Sequence, residues 1–151
     1  MPTPAWLVVA LGNPLQGADG FGPAVLTRLR REGRLPDGVD LLDAHTDLLS
    51  HLDRLAQYDG VVLVDAALGV PAGQVSVIDE ETFARWDDGS PGVHSVSPLV
   101  AVKLFRQIHA NARTRIVLVA LGIDRLQPGV GVSDEAIDAG AREVVRLSYT
   151  A

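Results

Sequence analysis

Apolar residues along this chain follow two rhythms. Short aliphatic runs at Trp6–Leu11, Val39–Asp43, Val61–Asp65, Gln74–Ile78 and Arg115–Leu121 read as strands. Three of them, "WLVVAL", "VVLVD" and "RIVLVAL", are apolar at almost every position. A strand with one wet face alternates, whereas a strand covered on both faces does not. These three therefore belong to a sheet with helices on both sides, as parallel sheets have. The second rhythm repeats every three to four residues and predicts helices over Pro23–Arg31, Leu48–Gln57, Ser97–His109 and Asp134–Arg146. Ser133 suits an N-cap, with Asp134 and Glu135 in the first turn of the last helix. Leu99, Val102 and Phe105 mark a core face on the third helix, with Leu104 and Ile108 on an adjoining stripe.

The order β-α-β-α-β-β-α-β-α predicts an α/β fold. It implies a three-layer αβα sandwich with a mostly parallel, twisted sheet of about five strands. There is no internal repeat and no linker, so residues 1–151 read as a single domain. The polar, turn-rich stretch "RWDDGSPG", residues 85–92, is the longest loop-like segment.

Composition narrows the function. Hydrophobic residues at 47% supply a core, and with aromatics at 5% that core must be mainly aliphatic. The formal net charge of −6 is the opposite of what a nucleic-acid binder carries. The one basic cluster, Arg28, Arg30, Arg31 and Arg34, falls at a predicted helix end, where positive charge suits the helix dipole. With no cysteine, disulfides, thiol nucleophiles and thiolate metal sites are all excluded. No run approaches the ~20 apolar residues of a membrane span, and "MPTPAW" does not resemble a signal peptide. A cytoplasmic location is the expectation.

The candidate chemistry lies where the strands end. After the first strand comes "GNPLQGADGFG", residues 12–22. It lacks the Gly-Lys-Ser/Thr of a phosphate-binding P-loop, and it reverses the spacing of the dinucleotide fingerprint. Asp19 would repel an anion at a helix N-terminus but would suit a cation, and it would equally suit a helix cap. Sites in open α/β sheets form outside the carboxyl ends of the strands. Those ends carry Asn13, Asp43 and Asp65, and His94 precedes the third helix. Carboxylates and an imidazole meeting at one edge would make a divalent-metal site with open positions, suited to Ni²⁺ or Zn²⁺. Taken singly, Asp65 is equally a strand-end turn former and His94 a loop histidine.

At these residues the chain resembles the hydrogenase maturation proteases, endopeptidases that trim the C-terminus of the nickel–iron hydrogenase large subunit. The resemblance rests on four stretches in order, "GNPLQGADGFGPAVL", "VVLVDAALG", "GVHSVSPLVAV" and "ALGIDRLQPGVGVSDEAIDAGAREVV". It implies that Asp19, Asp65 and His94 are metal ligands, and that the metal is nickel already loaded into the precursor. Zn²⁺ or Cd²⁺ would substitute for it in vitro. The implied partner is the hydrogenase large-subunit precursor, with neither nucleic acid nor membrane involved. Two departures from the family pattern stand out. Its adjacent acids in the first loop are here Ala18-Asp19, and its acid-Gly-Gly-Thr is here Asp43-Ala44-His45-Thr46.

Asp43 is the candidate general base for metal-assisted hydrolysis. Asp43 and Asp65 could also approach each other as a carboxylate pair. His45 reads as an additional ligand, a proton carrier or a surface residue without a role. Two other functions compete: a non-catalytic nickel-binding or chaperone module on the same fold, and a nucleotide-binding α/β domain.

Overall fold

The computed structural model describes residues 5–12, 20–68, 70–86, 98–124 and 131–150. Among them are five strands in one sheet: β1 (Trp6–Leu11), β2 (Val39–His45), β3 (Gly60–Ala67), β4 (Val75–Asp79) and β5 (Arg115–Gly122). Their spatial order is β2-β1-β3-β5-β4, with β4 antiparallel to β5 and every other pair parallel. The helices are α1 (Phe21–Glu32), α2 (Leu52–Leu55), α3 (Glu80–Phe83), α4 (Pro98–Ile108) and α5 (Asp134–Ser148).

Side-chain alternation along the strands splits the core in two. Leu7, Val9, Val61, Leu63, Ile116 and Leu118 pack with Leu52 and Leu55 of α2 and with Leu99, Val102 and Phe105 of α4. Val8, Val62, Val64, Val117 and Val119 face the other way, against Phe21 and Val25 of α1 and Ala141 and Val144 of α5. This is the expected three-layer sandwich. It also explains why β1, β3 and β5 have no polar rhythm, since both of their faces are covered.

The helix expected over Leu48–Gln57 is shorter than its periodicity suggested. A 3₁₀ turn (Leu49–His51) precedes the four-residue α2. Asp47 accepts hydrogen bonds from both the backbone N–H and the hydroxyl of Ser50, and this local bonding competes with a regular helical start. Leu48, Leu52 and Leu55 remain buried, so the apolar spacing met its packing need in a less regular backbone.

At the edge opposite the strands' carboxyl ends, Arg106 ties three elements together. Its guanidinium makes a two-pronged pair with Glu80 at 2.6 and 3.0 Å. It also donates to the carbonyls of Ala112 and Thr114. The start of α3, the end of α4 and the approach to β5 are thereby held in one place. Trp6, only 2% exposed, anchors the same edge by packing its ring over Gly60.

Asp79 caps α3 by accepting the Thr82 N–H at 2.8 Å. Hydrogen bonds from Thr82 hold the Asp79 carboxyl below its ordinary 3.8, and those from Ser50 do the same for Asp47. A depressed carboxyl pKa stabilises the fold above pH 3.8, and that contribution is lost as pH falls through the folded value. The Asp47→Asn/Asp79→Asn double variant no longer titrates at these positions. Its melting temperature should fall less steeply than the wild type's between about pH 5 and pH 2. Parallel curves by circular dichroism would show that neither carboxylate is linked to folding.

Candidate functional site

The sheet's topology places the site. β1 has β2 on one side and β3 on the other, so the chain leaves β1 in one direction and later returns on its opposite flank. A crevice opens at such a reversal, outside the carboxyl ends of the strands. Here it is a small, shallow cleft lined by Leu11, Gly12, His45, Thr46, Leu48, Asp65 and Pro98.

Two glycines give the cleft its shape. Gly12, where β1 ends, has φ 123°, a value L side chains rarely adopt, and its N–H bonds to the His45 carbonyl at 2.7 Å. Gly22, in the first turn of α1, lies against the strand ends. A methyl group there would sit 2.3 Å from the Leu11 carbonyl oxygen and 2.5 Å from that of Val64. The absence of a side chain at residue 22 lets α1 begin directly over β1 and β3.

Asp65 is the charged residue at the base of the cleft. It is 3% exposed, on a strand otherwise made of Gly, Val, Leu and Ala. One carboxylate oxygen accepts the Ala66 N–H at 2.8 Å. No lysine or arginine lines the cleft among the described residues. A buried carboxylate beside a cleft with no described lysine or arginine suits a cation and disfavours a phosphate.

Asp43 lies near the end of β2, and its side chain takes a different direction. The register pairs Ala10 with Asp43 on one side and with Val64 on the other. Asp65 shares the face of Val61 and Leu63, which pack against α2 and α4. Asp43 shares the face of Val39 and Leu41, which pack against the α1 and α5 side. Alternation therefore points the two carboxylates to opposite faces of the sheet, and they do not form a proton-sharing pair. The Asp43 carboxylate accepts the His45 N–H at 3.1 Å instead and lies 3.6 Å from His45 Nδ1.

That turn holds His45 at φ 55°, the only positive φ among the described non-glycine residues. The left-handed region costs an L residue about 1–2 kcal/mol. His45, in the second-strand turn, is the residue that both lines the cleft and carries an ionisable ring. The sequence offered His45 as an extra ligand, a proton carrier or a surface residue, but gave no sign of its backbone angle, which accompanies the β1–β2 register shift between Ala10 and Leu11.

Asp19 and His94 lie outside the described residues. Their nearest described neighbours are Gly20, the N-cap of α1, and Pro98, which lines the cleft at the start of α4. Among the described residues no group of three or more potential ligands is close enough to hold a metal. Asp65 is the one expected ligand whose surroundings are seen.

No family model matches the chain. A putative hydrogenase maturation protease of Methanocaldococcus jannaschii is 29% identical over 138 residues, 88% of this chain and 87% of that protein. The hydrogenase expression/formation protein HoxM of Azotobacter vinelandii is 29% identical over 87 residues, 57% of this chain and 42% of the relative. The chain thus spans about two-fifths of the length of that longer relative. In structure, the hydrogenase maturating endopeptidase HybD from E. coli superposes with a TM-score of 0.73 at 22% identity, over 95% of this chain and 91% of the other. At that identity the likeness concerns the fold.

Substituting Gly22→Ala should be among the most damaging single-methyl changes in the protein. The added carbon meets backbone carbonyls rather than movable side-chain ends, so α1 must shift as a body. We expect a loss of about 1–3 kcal/mol, the usual scale of overpacking. Urea denaturation measures it, and a change under 0.5 kcal/mol would mean that α1 is not pressed against the strand ends.

Proposed function

We propose, on the premise that the chain belongs among the hydrogenase maturation proteases it resembles in sequence and fold, that it is an endopeptidase. It removes the C-terminal extension of a nickel-loaded nickel–iron hydrogenase large-subunit precursor. The observation that carries this reading is Asp65, a carboxylate buried near the end of an apolar strand, in a cleft that no lysine or arginine lines among the described residues.

In this reading the nickel is part of the substrate. Asp19, Asp65 and His94 ligate it and leave positions open for the precursor's own groups. The tethered metal holds the scissile bond beside the strand ends. Proximity of this kind can lower a barrier by up to about 7–11 kcal/mol. The metal can also polarise the carbonyl or a water molecule. Asp43 supports the site by shaping the turn after β2, as its bond to the His45 N–H suggests. A general base drawn from Asp43 would need that bond to loosen.

The buried acid also weighs on the rival readings. A nucleotide would bring its phosphates to Asp65, with no lysine or arginine among the described cleft residues to offset the repulsion. A nickel carrier without peptidase activity would use the same ligands, so an assay of cleavage separates the two.

The test compares wild type with Asp65→Asn. Asparagine keeps an oxygen for the Ala66 N–H but loses the charge, so the fold should persist. Wild type should cut nickel-loaded precursor once near its C-terminus, as read by intact mass, and should leave metal-free precursor whole. Asp65→Asn should lose about 100-fold or more of the rate, as expected when the reacting bond is no longer held in place. Zn²⁺ or Cd²⁺ should bind wild type and fail to bind Asp65→Asn. Efficient cutting of metal-free precursor would reject recognition through nickel. Metal binding without any cut would assign the chain to the carrier class.

A further inference from the structure

His45 holds a backbone conformation that glycine would adopt more cheaply, and four contacts keep it there. Its N–H is bonded to Asp43, its carbonyl accepts the Gly12 N–H, and its ring nitrogen Nδ1 lies 3.6 Å from the Asp43 carboxylate. One residue earlier, the Ala44 carbonyl accepts the Asp47 N–H at 2.9 Å, which closes the turn beyond it. The backbone is fixed, yet the side chain is 73% exposed and stands at the rim of the cleft that holds Asp65. Strained residues persist where the surroundings over-determine them, and they cluster where ligands are held.

We propose that His45 is a substrate-contacting residue, its imidazole held over the cleft by the Asp43 turn so that Nε2 accepts a hydrogen bond from a backbone N–H of the precursor's C-terminal segment. The proposal rests on the reading of this cleft as the peptidase site. With Nδ1 beside the Asp43 carboxylate, Nε2 is the ring nitrogen left for a ligand. Asp43 is then a positioning residue that acts through His45.

Among the described residues, the other histidines and the tyrosines do not line the cleft. The His109 ring is engaged by Asp53 at 2.8 Å, on the far end of α4. Tyr58 donates its hydroxyl to Asp40 at 2.5 Å, away from the cleft.

The test is a pair of variants with two readouts. His45→Gly relieves the positive φ and removes the ring. His45→Asn keeps a side chain that tolerates this conformation but is shorter. His45→Gly should raise the melting temperature by about 2–4 °C. It should also lower kcat/KM on nickel-loaded precursor by about five- to tenfold, mainly through KM, as for one lost hydrogen bond. His45→Asn should fall between His45→Gly and wild type.

The second readout is the ¹⁵N signal of the wild-type His45 ring, followed as Zn²⁺-loaded precursor is added as a diamagnetic probe. The Nε2 resonance should move on binding. A more stable His45→Gly that cleaves at the wild-type rate, with an unmoved ring signal, overturns the proposal. If the wild type itself leaves the precursor uncut, the peptidase reading fails by that result. The ring signal then decides alone: a shift on binding sustains the contact, and no shift overturns it.

Discussion

The site depends on how closely a helix can approach the ends of two strands. α1 begins where β1 and β3 finish, and Gly22 brings its backbone against the carbonyls of Leu11 and Val64. Any side chain at that position would push α1 away from the strand ends. The route from Gly12 to Gly20 would then have to span a wider gap. The burial of Phe21, which fills the space under α5 beside Gly140, relies on the same approach. One missing methyl group thus couples the packing of the α1–α5 layer to the geometry of the functional edge.

Asp65 shows the cost of building a site into such a fold. β3 is the sheet's central strand, covered on both faces, and ending it in a carboxylate places charge where aliphatic side chains would stabilise the protein more. β3 runs on for two more residues, paired with β5, so the charge stands within the sheet and not in the loop beyond it. The far edge supports this arrangement. The Arg106–Glu80 pair and the Trp6–Gly60 contact fix the opposite ends of the strands and helices that converge on the cleft.

Much of this was legible in the sequence, and the exceptions have physical causes. The aliphatic runs located β1, β3 and β5 to within a residue or two, because burial on both faces leaves no freedom for polar positions. Ser133 does cap α5, accepting the Ala136 N–H. The helix after β2 was overestimated because Asp47 and Ser50 bond to each other at its start, an effect that periodicity does not register. The antiparallel direction of β4 was equally hidden, since alternation along a strand is the same in either direction. Asp43 and Asp65 looked equivalent as strand-ending acids, but side-chain parity sends them to opposite faces, and parity depends on a register that appears only with the pairing. The positive φ of His45 was likewise hidden, since composition does not supply a backbone angle.

The reversed strand has a geometric consequence. β4 lies beyond β5, so the chain between β3 and β4 must pass over the carboxyl end of β5. Gly122 is pressed against the Pro71 carbonyl and exchanges hydrogen bonds with Gly73 and Gln74 as the chain arches past. Among the described residues, the cleft therefore lies at the ends of β2, β1 and β3, while the connection between β3 and β4 covers the end of β5.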